Sequence, residues 1–230
     1  MPVVAPVDHT LGPRPYEATC ELVADLPTSL EGVREALPPG GGWALAAWAA
    51  KGREFKARAR AFLAEASTAK GRTGVPPHRV VEVAREVFPR QTIVAVDSGT
   101  HALVVAAFWD AHEPKGYLCS SGLGATGYAL PAAIVAKLVA QDRPVVAFLG
   151  DGGFLRSVPD LAMATWRRVP VVGIVFVDAA LGLSRIQQEV KRYAPVGVSL
   201  GNMDIPKLAE SFGALGTEVD DEDSLRSALK

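Results

Sequence analysis

From Pro76 onward the chain alternates between two kinds of apolar pattern. HRVVEVAREVF spaces its apolar residues as one face of a helix, whereas TIVAVD is an unbroken run rich in β-branched residues, as a buried strand requires. The alternation recurs downstream. HALVVAAFWDAH and YALPAAIVAKLVAQ predict helices, PVVAFL a strand, LAMATWRR a helix, PVVGIVFV a strand and LAESFGA a helix. Strands apolar at nearly every position, with helices between them, predict an α/β fold: a doubly wound parallel sheet with helices on both faces. The sequence stops at SLRSALK directly after a helix, where a further strand is expected from a longer chain or a partner.

The first part of the chain reads differently. PVDHTLGPRP precedes a short amphipathic stretch around Leu26 to Leu37, then PPGGG, then the helical run WALAAWAAKGREFKARARAFLAEA. In that run Trp43, Ala47, Phe55, Ala59 and Phe62 fall near helical spacing, and Lys51, Arg53, Lys56, Arg58 and Arg60 are expected on a solvated face. STAKGRTGVPP reads as a linker. The expected division is therefore residues 1–73, a small helical and irregular region, and residues 74–230, the sheet domain. No internal repeat is visible.

Composition narrows the classes. Hydrophobic residues make up 49% and charged residues 21%, and the net charge is -1. No nucleic-acid surface or anionic membrane partner is implied, and any affinity for phosphate must be local. The opening MPVVAPVDHTLGPRP lacks the basic and apolar regions of a signal peptide. The uncharged stretch from Tyr117 to Ala136 carries Gly122, Gly124, Gly127 and Pro131, so it reads as a loop entering a helix and not as a membrane span. A soluble, cytoplasmic protein is expected. Cys20 and Cys119 have no metal-ligand spacing and read as small buried hydrophobes in a reducing setting.

Parallel sheets bind ligands at the carboxyl ends of their strands, and three strand ends carry candidate chemistry. In AVDSGTHA a strand ends at Asp97, and Ser98, Gly99, Thr100 and His101 open the next helix. Unpaired amides there suit phosphate oxygens, with Thr100 and His101 as further donors; the plainer alternative is a simple cap by Ser98 or Thr100. In FLGDGGFLRS, Gly150, Gly152 and Gly153 permit a tight turn, and Asp151 projects from the strand end. A carboxylate beside phosphates repels them unless a hard cation intervenes, which points to Mg²⁺. In VFVDAALGLSRIQQE, Asp178 follows a strand 27 residues after Asp151, room for one helix and one strand. Adjacent parallel strand ends lie about 4.8 Å apart, so Asp151, Asp178 and the Ala180 carbonyl can share one ion.

The order GDGGFLRS, VVGIVFVD and LGLSRIQQE resembles the diphosphate-binding signature of thiamine diphosphate-dependent enzymes. SSGLGATGYALPAAIVAKL and DSGTH resemble segments of their acetolactate synthase and benzoylformate decarboxylase branch. The resemblance covers residues 74–230 in order and spacing, and residues 1–73 are similar to the tail of the middle domain of those enzymes. It implies that Asp151, Asp178 and the Ala180 carbonyl hold Mg²⁺. Gly99, Thr100, His101, Gly150, Gly152 and Gly153 would hold the diphosphate of thiamine diphosphate, with Leu181 and Gly182 bordering it. The Gly124 carbonyl would contact the aminopyrimidine, and Thr126 would stand where a bulky residue bends the cofactor.

Two positions depart from that family pattern, which has Asn at Asp178 and a larger apolar residue at Thr126. A larger departure is an absence: no stretch matches the pyrimidine-binding domain and its catalytic glutamate, and Glu65 and Glu82 sit in predicted helices. The resemblance thus implies a split enzyme acting on a small 2-oxo acid as carboligase or decarboxylase. A separately encoded subunit would bring the pyrimidine-binding domain, in a hetero-oligomer such as a dimer of heterodimers. A degenerate regulatory or scaffolding subunit is the alternative of another class, separated by metal-dependent cofactor binding. A nicotinamide-binding domain is disfavoured because GLGATG is expected to precede a strand instead of following one. His9, His78 and His112 read as surface or packing residues, the four tryptophans as core or interface, and Arg185 as either an anion reader or a solvated or paired side chain.

Overall fold

The computed structural model describes residues 24–37, 45–67 and 74–230. Four strands form one parallel sheet: β1 (Ile93–Val96), β2 (Tyr117–Cys119), β3 (Val145–Gly150) and β4 (Val172–Phe176), in the order β2-β1-β3-β4. Register places Val94 opposite Val146 and Phe148 opposite Ile174, so β3 ends one strand spacing from β4. Ten helices lie among the described residues. They are α1 (Leu26–Ala36), α2 (Leu45–Ser67), α3 (Pro77–Val87), α4 (Thr100–Phe108) and α5 (Ala129–Val139), then α6 (Asp151–Ser157), α7 (Asp160–Trp166), α8 (Gly182–Val190), α9 (Ile205–Ser211) and α10 (Glu222–Ala228).

Strand alternation assigns the two cores. Ile93, Ala95, Val145, Ala147 and Leu149 face one side with Leu130, Ile134, Phe154 and Leu161. Their neighbours Val94, Val96, Val146 and Phe148 face the other with Val81 and Val83 of α3, Val105 of α4 and Leu225 of α10. Every residue of β1 is buried, which is why these strands read as continuous apolar runs. Arg79 of α3 holds α10 in place, donating to both carboxylate oxygens of Glu222 at 2.8 Å. The predicted doubly wound architecture is therefore present.

The chain divides into two compact units, Met1–Gly52 and Arg53–Lys230. Within the second unit the face of α2 differs from expectation. Phe55 and Phe62 are exposed, whereas two of the cations expected in solvent point inward. Lys56 bonds Asp110, and Arg60 bonds Asp110 at 3.2 Å and the Ala107 carbonyl at 2.9 Å. Burial pushes the Asp110 carboxyl up, but these two cations outweigh it and hold it below the usual range. Cationic groups win the inward face because Asp110 and the last carbonyls of α4 need donors there. Trp43, His9, Cys20, PPGGG and most of the STAKGRTGVPP segment lie outside the described residues.

Three further expectations change. Cys119 is an exposed free thiol at the end of β2, not a buried hydrophobe. GLGATG follows β2 and leads into α5, so it does not precede a strand as expected. The glycines of GDGGFLRS do not make a turn: β3 runs directly into α6, with Asp151 as the first helical residue. A carboxylate in that first turn is favoured by the helix dipole.

Candidate functional site

The carboxyl ends of β1, β3 and β4 bring the predicted segments together. After β1, Gly99 is the N-cap of α4 and no side chain caps the helix. Neither Ser98 nor Thr100 therefore takes the simple capping role, and the first amides of α4 have no side-chain partner. His101 in the first turn is 7% exposed, stacks on Phe176 at 5.7 Å, and its Nε2 is buried without a hydrogen-bond partner. Burial pushes its pKa down, against the charges of Asp97 and Asp151 and the Phe148 carbonyl. A Cβ at Gly99 would lie 2.7 Å from that ring, so glycine is required for the imidazole to pack there.

After β3, Asp151 is 2% exposed and ties two strand ends together. Its Oδ1 accepts the Gly152 amide at 2.7 Å, and its Oδ2 accepts the amides of Ala179 at 2.7 Å and Asp178 at 3.3 Å. After β4, Ala179 adopts a left-handed φ of 53°, and Ala180 forms an antiparallel bridge with Ser199. The Asp178 Oδ1 accepts the Ala180 amide at 3.3 Å. Gly182 sits between the first and third segments: a Cβ there would lie 3.3 Å from the Asp178 carboxylate and 3.4 Å from the Thr100 hydroxyl. The Leu181 side chain covers Gly152, where a Cβ would meet its Cδ2 at 2.5 Å.

The glycine-rich loop joins this cluster through a residue that the sequence reading passed over. Asp97, 1% exposed, accepts the Ser98 amide at 2.8 Å, the Gly127 amide at 2.9 and 3.0 Å, and the Tyr128 amide at 3.2 Å. Gly153 packs against the same carboxylate, with no room for a Cβ. An acid closing a wholly apolar strand is the signal that could have marked Asp97, since a buried carboxylate needs donors. Gly124 has φ 63° and lies beside Ser98, and Thr126 is exposed on the same loop. Twelve of the thirteen predicted positions thus lie on the segments that follow β1, β2, β3 and β4, and Gly150 is the last residue of β3.

A cavity of about 250 Å³ lies beside the third segment, lined among others by Asp178, Ala180, Arg185, Val198 and Ser199. Arg185 lines it with its Nε 3.8 Å from Glu189 on the same helix. The other conspicuous residues are placed elsewhere. His78 is buried against Phe108, His112 is exposed, Trp109 is buried under Arg85, and Trp48 and Trp166 are exposed. Glu82 is paired with Arg79 at 2.5 Å. No described helix is long and apolar enough to cross a membrane.

The chain is 29% identical to an acetolactate synthase of Bacillus subtilis over 99% of its own length and 39% of that enzyme's. It is 32% identical to the acetolactate synthase large subunit of Haemophilus influenzae, over 68% of this chain and 28% of that one. Among solved structures, a thiamine diphosphate-dependent 4-hydroxybenzoylformate decarboxylase of Rhodococcus jostii superposes with a TM-score of 0.66 at 25% identity, covering 70% of this chain and 31% of that one. Benzoylformate decarboxylase from Polynucleobacter necessarius shares the fold with a TM-score of 0.64 at 24% identity, over 71% and 31% of the two chains. The chain therefore spans less than half the length of these relatives. The model of the thiamine pyrophosphate enzyme family's C-terminal TPP binding domain matches residues 97–230, from the buried Asp97 to the end of α10, and the chain belongs to that family.

Proposed function

We propose that this chain is the diphosphate- and Mg²⁺-binding half of a split thiamine diphosphate-dependent enzyme acting on 2-oxo acids, of the acetolactate synthase type. The observation that carries this reading is the meeting of Asp151 and Asp178, at adjacent strand ends, with the uncapped first turn of α4. Mg²⁺ is commonly held by one or two carboxylates completed by phosphate oxygens, and not by an all-protein cage. That fits a site where no group of three or more His, Cys, Asp or Glu side chains able to hold a metal occurs among the described residues.

In this reading Asp151, Asp178 and the Ala180 carbonyl hold the ion. The amides of Gly99, Thr100 and His101 and the backbone of Gly150, Gly152 and Gly153 receive the diphosphate, with Leu181 and Gly182 closing one side. The unpartnered His101 Nε2 adds a polar group at the same turn. Gly124 and Thr126 meet the aminopyrimidine end. Bound thiamine diphosphate supplies a nucleophilic carbon and an electron sink for decarboxylating 2-oxo acids. The protein's part is to position the cofactor and balance its charge. The region 1–73 is a remnant of a middle domain, and a separate subunit brings the pyrimidine-binding domain and its glutamate.

Calorimetric titration of thiamine diphosphate with Mg²⁺ tests this, using the chain alone and mixed with the product of the neighbouring gene. The expected result is metal-dependent binding in the mixture that Asp151→Ala reduces by more than the roughly 10–100-fold typical of losing a residue that only supports a metal ligand. A stable complex that binds neither cofactor nor metal would refute a catalytic role and leave a regulatory or scaffolding subunit.

A further inference from the structure

The loop that follows β4 is not shaped by its own sequence alone. Ala179 holds a left-handed φ of 53°, a strained conformation for a residue that carries a side chain. Two bonds from elsewhere hold it. Its N–H donates to Asp151 at 2.7 Å, and its carbonyl accepts the Leu200 amide at 2.9 Å. The Leu181 amide donates to the Val198 carbonyl at 2.8 Å, completing the bridge around Ala180 and Ser199. Residues 193–200 thus form a strap across the loop. Val198 is buried, and Leu200 lies beside Gly152 at the start of α6.

One side chain adds a second fastening, at the outer part of the strap. Gln188, half-buried on α8, donates its Nε2 to the Val196 carbonyl at 3.1 Å and accepts the Val196 amide on Oε1 at 3.2 Å. Its own carbonyl accepts the Tyr193 amide at 2.8 Å. A carboxamide is the neutral side chain that can donate and accept side by side, so it replaces a strand neighbour for Val196. The strap residues from Tyr193 to Gly197 are exposed, and Gly197 and Gly201 have positive φ.

We propose that Gln188 is a positioning residue: its clasp on Val196 fixes the strap, and the strap fixes the Ala180 carbonyl and the Asp178 backbone for the cation. This inference rests on the proposed function. A stiff loop favours the small ion that demands near-ideal octahedral geometry, whereas a loosened loop tolerates Ca²⁺ with its longer and more variable bonds. Gln188 therefore governs which ion the site prefers as well as how tightly it binds.

The test compares wild type with Gln188→Leu and Gln188→Glu in the cofactor-binding form, the chain with its partner subunit. Gln188→Leu removes both bonds and Gln188→Glu keeps only the acceptor. Binding of thiamine diphosphate is titrated in Mg²⁺ and in Ca²⁺, and amide exchange is followed at Leu181, Val196 and Leu200. The expected result is a loss of apparent Mg²⁺ affinity of about three- to tenfold per removed bond. Ca²⁺ affinity falls less, so the ratio shifts toward Ca²⁺, exchange at the three amides quickens, and the melting temperature holds. Unchanged exchange, or an unchanged ratio in variants that bind cofactor, overturns the role of Gln188 alone. Failure of the wild type to bind cofactor in either ion overturns the proposed function and this inference with it.

Discussion

Replacing Asp97 with asparagine keeps the shape of a side chain that three segments share, and changes only what it can accept. The carboxylate takes backbone amides from Ser98, Gly127 and Tyr128 and is 1% exposed. The Gly127 N–H stands 2.9 Å from one oxygen and 3.0 Å from the other. Either orientation of a carboxamide therefore puts an NH₂ group against an N–H. One buried donor left without an acceptor costs about 1–3 kcal/mol, and the bonds that survive lose their charge assistance. Removing a buried charge works the other way, but three amides already solvate it. The net expectation is a loss of about 2 kcal/mol, seen as a melting drop of roughly 4–8 °C for a chain of this size. Urea unfolding followed by circular dichroism, with amide exchange at Gly127 and Tyr128, measures both the global and the local effect. A variant within about 0.5 kcal/mol of wild type, the range of ordinary surface changes, with unchanged exchange at those amides, would refute this account of Asp97.

Two neighbouring glycines give a paired contrast. Gly153→Ala drives a methyl into the tethered Asp97 carboxylate, whereas Gly152→Ala meets the Leu181 side-chain tip, which can turn away. Thermal melts should show Gly153→Ala the more damaging by about 1–3 kcal/mol, and equal losses would contradict the assignment of rigid and yielding neighbours. Burial pushes the Tyr117 hydroxyl up to about 12. The unfolded phenol ionises near 10, so the neutral folded form contributes stability that is intact below about pH 10 and is lost as pH climbs to about 12. Ultraviolet titration against Tyr117→Phe should reveal one late-ionising phenol; its absence, with all phenols titrating near 10, would count against that burial.

Much of this architecture was legible because parallel strands buried on both faces have to be apolar throughout. TIVAVD and PVVAFL satisfy that, and so β1 and β3 were placed within a residue or two. β2 was not, since three half-buried residues inside an uncharged glycine-rich stretch carry too little period to register. Missing it also inverted the surroundings of GLGATG. The helix at Asp151 was hidden by its glycines, whose flexibility suggested a turn, whereas burial of Phe154 and close packing on Asp97 and Leu181 select small residues in a helix there. The inward face of α2 was misread because helical spacing shows which residues share a side and not what the other side of the contact needs. Asp110 needed cations, and Phe55 and Phe62 were left outside. Of the proposed site positions, Gly99, Thr100, His101, Gly150, Asp151, Gly152, Gly153, Asp178 and Ala180 were read from strand ends and spacing, and Gly124, Thr126, Leu181 and Gly182 from the family resemblance alone. The Asp97 bonds to Gly127 and Tyr128 reach across the sequence, so only its place at the end of an apolar strand hints at them.

The strand order carries a consequence for how the chain comes to be folded. β1 pairs with β3, so Ile93 lies opposite Val145 while α4, β2 and α5 are all strung between them. The central ladder cannot close until that intervening chain has been gathered, and such distant pairings slow folding. Asp97 and Asp151 ride on the ends of those two strands; the donors to Asp97 all precede β3, whereas Asp151 takes amides of Asp178 and Ala179 from beyond β4. In chains still emerging from the ribosome before Val145, β1 has β2 on one edge and α5 on one face but leaves the edge that β3 later pairs with open.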